Sequence, residues 1–233
     1  MSTDPQSRRT EFWAGIKAEL PILLGVIPFG MIYGVLALQA GIPSGTAQAM
    51  SAVVFAGSSQ FLAVQLIRAS TPALVIVMSI FVINLRHALY SASMAPYMRR
   101  LPLRWRAVLA YLLTDEAYVV TITHYQSAEN IPHAQWFFLG AGLTLWSGWQ
   151  LSTAAGIFLG TQIPAGWSLD FTLALTFIAL LVPSIKDRAA AAAALAAGTV
   201  AVLGYNLPFK LGLVAAALVG IGMGLWVEAR WHL

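Results

Sequence analysis

The sequence predicts an all-α polytopic integral membrane protein, with about six spanning helices, two short re-entrant or broken segments, and an inverted repeat. Three observations predict it. The chain of 233 residues is 59% hydrophobic and only 9% charged, whereas a soluble domain carries about 25% charge. Its mean hydropathy is +0.75, so it has far too little polar surface to cover a water-soluble globule. Finally, the basic residues gather at the ends of apolar runs, where they report orientation. The net charge of +4 is therefore no sign of nucleic-acid binding. The expected layout is a cytoplasmic tail over 1–11, one transmembrane domain over 12–228, and a tail over 229–233.

The first apolar segment, Phe12–Ala40, is too long for one straight span of roughly 20 residues. Pro21, Gly25, Pro28, Gly30 and Gly34 interrupt it. Proline removes a donor and clashes with the preceding turn, so a kink or an unwound stretch is expected at Pro28-Phe29-Gly30. The functional reading is a discontinuous helix whose freed backbone groups face a substrate; the bland one is a Pro-kinked helix tolerated by its neighbours. No small-residue cleavage site follows a short apolar core here, so the segment is expected to stay in the protein.

Met50–Ile67 is short and carries Gly57-Ser58-Ser59-Gln60 at its centre, and Pro72–Met94 has full spanning length. Arg8, Arg9 and Lys17 place the amino terminus in the cytoplasm, and Arg99, Arg100, Arg104 and Arg106 should be cytoplasmic too. An even number of crossings must lie between them. The simplest solution is that Met50–Ile67 enters from outside, turns near Gly57-Ser58-Ser59 and returns, since non-helical backbone at depth is allowed where protein or water covers it. The rival solution splits Phe12–Ala40 into two crossings.

Ala107–Tyr125 reads as the next span, with Asp115 about eight residues in, near ~12 Å deep at 1.5 Å per residue. Gln126–Gln135 has no Lys or Arg and reads as an outside loop. Trp136–Gly160 then returns inward, with Gly140, Gly142, Gly148, Gly156 and Gly160 as the small residues that let membrane helices approach closely. Leu169–Ile185 is a second short run, re-entrant from the inside, and Ala189–Gly204 and Phe209–Val227 close the chain around a turn at Tyr205-Asn206-Leu207-Pro208. The order long, short, long, long would then repeat with opposite orientation, the pattern of an inverted repeat.

The polar groups inside these runs are the candidate site. Gly57, Ser58, Ser59 and Gln60 offer hydroxyls, an amide and backbone donors that can hold a zwitterion's head; helix–helix hydrogen bonding by Ser and Gln is the rival reading. Asn84 and His87 share one helix face, and Arg86 and Tyr90 another. Arg86 and His87 could instead sit near the helix end and snorkel to headgroups. Tyr111, Asp115 and Tyr118 also share a face, with Glu116 roughly 100° away. Two adjacent carboxylates at depth cannot both face lipid. Either one pairs with Arg86, or one is protonated, or both line water. Because burial disfavours a charged carboxyl, Asp115 or Glu116 is a candidate proton carrier. A purely structural ion pair to Arg86 is the alternative.

Enzyme motifs are absent. With no cysteine, there is no thiol catalysis or Cys-ligated metal site. No Walker A motif is present, and no two histidines have helical metal-ligand spacing. No cofactor and no metal are expected. The eight Trp fall mostly near segment ends, as an interfacial belt.

The residues also match a family. Pro28-Phe29-Gly30, Phe55-Ala56-Gly57-Ser58-Ser59-Gln60-Phe61, Asn84-Leu85-Arg86-His87 with Tyr90, Thr114-Asp115-Glu116, and Leu169-Asp170-Phe171 through Ala179-Leu180-Leu181-Val182-Pro183 occur in this order. On these stretches, over roughly Phe12–Val227, the chain resembles the AzlC family, the large subunit of bacterial branched-chain amino acid exporters. The resemblance implies secondary active export of valine, leucine and isoleucine across the inner membrane, and a small AzlD-type membrane partner. Proton antiport is the expected coupling, from the two acids. A passive channel for small zwitterionic or hydrophobic solutes shares the polar lining and is the alternative.

Overall fold

In the computed structural model, residues 5–127, 132–162, 185, 187–207 and 211–231 are described, and among them all regular structure is helical. The helices are α1 (Pro5–Gln39), α2 (Ser44–Val54), α3 (Gly57–Arg68), α4 (Ala73–Met98), α5 (Leu103–Tyr111), α6 (Asp115–Gln126), α7 (Ala134–Gly160), α8 (Arg188–Leu203) and α9 (Leu211–Trp231). Among the described residues, three stretches are long and apolar enough to cross a membrane, Arg8–Gln39, Ala73–Met98 and Leu211–Arg230. The 27 residues of α7 also give roughly 40 Å, more than a hydrocarbon core. The chain forms two compact units. One holds 1–65 and 80–165, the other 66–79 and 166–233. The expected short segment Leu169–Ile185 lies, but for Ile185, outside the described residues, as do the matched stretches 169–171 and 179–183.

The first unit is built on α1 and α7. Their backbones touch, and glycine makes this possible. A Cβ on Gly15 would lie 2.1 Å from the Phe137 carbonyl oxygen, and one on Gly156 would lie 2.1 Å from that of Met31. Only a residue without Cβ permits such an approach. The contacts pair Phe12 with Gly140, Gly30 with Ser152, and Val35 with Gly160. Both numbers rise together, so α1 and α7 run parallel.

α1 remains helical through Pro21 and Pro28, so the expected unwound stretch at Pro28-Phe29-Gly30 does not occur. Lys17, Pro21, Leu24 and Pro28 form one exposed stripe. The carbonyls that the prolines leave without partners, those of Lys17 and Leu24, belong to residues of this stripe. Glu19, Val26, Gly30 and Tyr33 form the buried face.

Met50–Ile67 is broken, as expected. α2 starts beside the carboxyl end of α1, where the Tyr33 hydroxyl donates to the Ala47 carbonyl (2.9 Å). It stops at Phe55, whose φ of 40° is the left-handed conformation that ends helices. α3 then runs antiparallel to α4, pairing Ser58 with Arg86 and Ser59 with Asn84. α4 and α6 run parallel, by the ring contacts Tyr90–Tyr118 (4.6 Å) and Tyr97–Tyr125 (5.0 Å). α6 is antiparallel to α1 and α7: His124 meets Glu11 (2.9 Å) and stacks on Phe137, and Leu112 meets Gly142. α3 therefore points back toward the carboxyl end of α1, and α2–α3 is a re-entrant hairpin.

Ala107–Tyr125 is not a span. The helix breaks at Leu112-Leu113-Thr114. α5 climbs beside α7, from the Trp105–Trp136 ring contact (5.0 Å) to the Trp146–Tyr111 hydrogen bond (2.7 Å). α6 then descends. It starts at Thr114, whose hydroxyl caps the Ala117 amide. The sequence concealed this break because its residues, Leu-Leu-Thr, are apolar or neutral and contain no Gly or Pro. α5–α6 is a second hairpin, and it opens at the amino end of α1. Gln126 and Ser127 thus lie at the same end as Glu11 and the basic cluster that precedes α5. At its described residues the expected position of Gln126–Gln135, on the side opposite the basic cluster, is corrected, and the count of six single crossings is not confirmed.

The inverted repeat is corrected in the same way. Equivalent first helices of inverted halves run in opposite directions, whereas α1 and α7 run the same way. The inversion lies instead within the first 126 residues. Helix α1 and hairpin α2–α3 point one way; helix α4 and hairpin α5–α6 point the other.

In the second unit, α8 and α9 form an antiparallel pair. Gly204 meets Gly212, Ala197 meets Gly220, and Ala193 meets Gly224. The expected turn falls at Tyr205–Leu207, closed by the Leu207 amide on the Gly204 carbonyl (3.0 Å). Asp187 caps α8 through the Ala190 amide (2.7 Å).

Candidate functional site

The two hairpins enter from opposite ends of the unit, and their tips meet beside the middle of α7. Tyr111, the last residue of α5, donates its hydroxyl to the Ala52 carbonyl near the end of α2. Its ring lies 6.0 Å from that of Phe55. At this junction α3 and α6 both begin, so each presents unpaired amides and the positive end of its dipole there.

Arg86 organises the polar groups at the junction. It sits at the middle of α4, not near an end, so it has no short reach to headgroups. Its Nη1 donates to Asp115 Oδ2 (2.6 Å) and its Nη2 to Ser58 Oγ. Ser59 Oγ donates to Asn84 Oδ1 (2.6 Å). A guanidinium, a carboxylate, two hydroxyls and an amide from three elements therefore converge. The Arg86 and Asp115 side chains stay 29% and 37% exposed, so the pair is reachable. Arg86 Nε and Asp115 Oδ1 are themselves enclosed, each without a hydrogen bond of normal geometry. Such a cluster can take both charges of a zwitterion, a carboxylate at the guanidinium and an ammonium at the carboxylate.

Other candidates lie elsewhere. Gln60 is fully buried and accepts from Trp149 Nε1 (3.2 Å), while Gly57 lies under the same indole. Phe29 is edge-on to Phe61 (5.9 Å). Gly30 abuts Ser152 of α7, and Pro28 is on the exposed stripe. His87 Nδ1 contacts its own helix at the Asn84 carbonyl (3.3 Å), and its ring is edge-on to Tyr90 (5.9 Å). Tyr111 belongs to α5, so it does not share a helix face with Asp115. Among the described residues no cluster of His, Asp and Glu could hold a metal.

Sequence reasoning missed two things. Trp149 is not interfacial. It lies at 6% exposure within α7, stacked on Tyr33 (6.2 Å). Glu19 is fully buried on the inner face of α1, with neither carboxyl oxygen hydrogen-bonded. Its signal was available, an acid seven residues into an apolar run, but the neighbouring Lys17 drew the reading toward orientation.

Comparison with known proteins places the chain among membrane proteins. A family described as "AzlC protein" matches residues 21–163, which contain both hairpins and the junction. An uncharacterized membrane protein of Archaeoglobus fulgidus is 33% identical over 225 residues, covering 94% of this chain and 97% of that protein. Inner membrane protein YgaZ of Escherichia coli is 26% identical, covering 97% and 96%. The "Branched-chain amino acid transport protein AzlC" of Bacillus subtilis is 25% identical over 185 residues, covering 76% and 70%. No solved structure matches the chain. With the family matched across the junction and a relative alike over nearly its whole length, the chain belongs to the AzlC family of membrane proteins.

Proposed function

We propose that this chain is the large subunit of a secondary exporter of branched-chain amino acids in the bacterial inner membrane, coupled to proton entry and acting with a small AzlD-type membrane subunit. The observation that carries the reading is the Ser58–Arg86–Asp115 cluster at the meeting point of two opposed broken hairpins. Broken half-helices at mid-depth are the usual substrate site of secondary transporters, with helix amino ends facing the anionic group. The substrate carboxylate meets Arg86 and the amino ends of α3 and α6, and its ammonium meets Asp115. The printed name of the Bacillus subtilis relative supports the choice of substrate class. A pocket for a short apolar side chain separates valine from leucine weakly, since one methylene is worth only ~1–3 kcal/mol, so the substrate range is broad.

The reading is tested by valine counterflow in proteoliposomes holding both subunits. Preloaded valine should drive exchange with labelled valine in the wild type, and Arg86→Gln should abolish it. Unchanged exchange in the Arg86→Gln protein would remove the cluster from the pathway. The channel alternative predicts equilibration with no stimulation by preloaded valine.

A further inference from the structure

The geometry points to Glu19 as a proton-binding site, a neutral carboxyl buried between α1, α6 and α7 that exchanges its proton with the junction through Glu116. The residue is 0% exposed, and both its oxygens lack any hydrogen-bond donor. An ionised carboxylate in that setting is very costly, and such a group holds a proton instead. No cation faces it. Lys17 is exposed on the opposite side of α1. The helix α7 contributes no titratable side chain at all, its buried face being Phe137, Phe138, Gly140, Ala141, Gly142 and Leu145 around this level. From α6, Glu116 stands at the level of Glu19, each two turns from the Glu11–His124 pair on its own helix. His124 is two turns further along α6, paired with Glu11 (2.9 Å), and the Tyr125 hydroxyl is committed to the Ala134 carbonyl (2.8 Å).

Charge balance strengthens the assignment. Asp115 and Glu116 stand at the start of α6, and the antiparallel register fixed by Glu11 against His124 sets Glu19 level with them, so Arg86 shares this level with three carboxyl groups. One guanidinium cannot balance three carboxylates at membrane depth. Asp115 holds the guanidinium directly, so a proton resides on the Glu19–Glu116 pair, and on Glu19 in particular because it has no donor of its own. The set also supplies a path. Asp115 is partly exposed, Glu116 is next in sequence, and Glu19 is the enclosed end.

Proton coupling of transport through Glu19 rests on the exporter reading, so the first test does not use transport. Infrared difference spectra of the purified full chain, recorded between neutral and alkaline pH, report protonated carboxylic acids through their carbonyl stretch. The wild type should show this band at neutral pH. It should vanish in Glu19→Gln, shift in frequency in Glu19→Asp, and persist in Glu228→Gln, a change at the far end of α9. A wild type without the band, or a band that survives in folded Glu19→Gln, overturns the assignment. Should Glu19→Gln misfold, Glu19→Asp decides: an unshifted band in that variant also overturns it. In vesicles, Glu19→Gln should keep valine exchange and lose accumulation driven by a proton gradient. If wild-type vesicles move no valine while the band behaves as stated, the exporter reading fails and the proton site stands.

Discussion

Neutralising Asp115 should expose how much of the junction is charge pairing and how much is substrate recognition. Asp115→Asn removes the negative charge that meets Arg86 Nη1 at 2.6 Å and leaves the guanidinium with neutral partners only, the new amide and Ser58. Breaking a fully buried pair by removing one partner costs about 3–5 kcal/mol, because the other charge is stranded. An exposed pair is worth about 0–1 kcal/mol. Here the side chains are 29% and 37% exposed, so the expected loss lies between those limits, at about 2 kcal/mol. That corresponds to roughly a 30-fold change in the folding equilibrium. The assay is a double-mutant cycle of Asp115→Asn, Arg86→Gln and both, unfolded in mixed micelles and followed by Trp fluorescence. The double variant should be more stable than the sum of the single losses predicts, with a coupling energy of about 1–3 kcal/mol. The charge-swapped chain, Arg86→Asp with Asp115→Arg, should recover stability without recovering valine exchange. A coupling energy of zero would show that the ion pair holds nothing together. Full exchange by the swapped chain would show that the pair is structural and that its polarity toward a substrate is irrelevant.

Other consequences follow from the same geometry. Single cysteines can be introduced freely because the chain has none. Arg9→Cys, Arg100→Cys and Ser127→Cys should label from one side of the membrane and Thr161→Cys from the other; labelling of Ser127→Cys together with Thr161→Cys would contradict the α5–α6 hairpin. Gly156→Leu places side-chain atoms where Met31 backbone already lies at 2.1 Å, so it should cost about 3 kcal/mol or more and deplete monodisperse protein on size exclusion. Normal yield and stability would mean that α1 and α7 are not in backbone contact. Gln60→Leu strands the Trp149 Nε1 donor, for an expected loss of about 1–3 kcal/mol in the same micelle assay, with valine affinity retained. A loss of affinity at full stability would instead place Gln60 at the substrate.

The sequence made the membrane class, the α2–α3 hairpin and the parity of crossings up to the arginine cluster legible, because each rests on strong local signals. Gly57-Ser58-Ser59-Gln60 is polar in an apolar run, and positive charge marks orientation. The α5–α6 break carries no such signal. Leu112-Leu113-Thr114 reads as helix by composition, and only the α7 contacts show that the chain reverses there. Reading 107–125 as one span moves residues 126 and 127 to the opposite end of the unit and pairs α1 with α7 as inverted equivalents, although the two run parallel. Prolines misled in the opposite direction. Pro28 marks an unwound stretch in isolation, but α7 supports α1 along its length, and the helix absorbs the lost hydrogen bond on its exposed stripe. Arg86 and Asp115 were legible as candidates because charge at membrane depth demands a partner. Glu19 was hidden by Lys17, two residues away on the opposite face.

The most direct measurement is uptake of labelled valine into inverted membrane vesicles that contain this chain and its small partner, with the interior made acidic. Inverted vesicles turn export into accumulation. The account predicts valine accumulation above equilibrium that collapses on addition of an uncoupler. Equilibration without accumulation, or accumulation indifferent to the uncoupler, would contradict proton-coupled export.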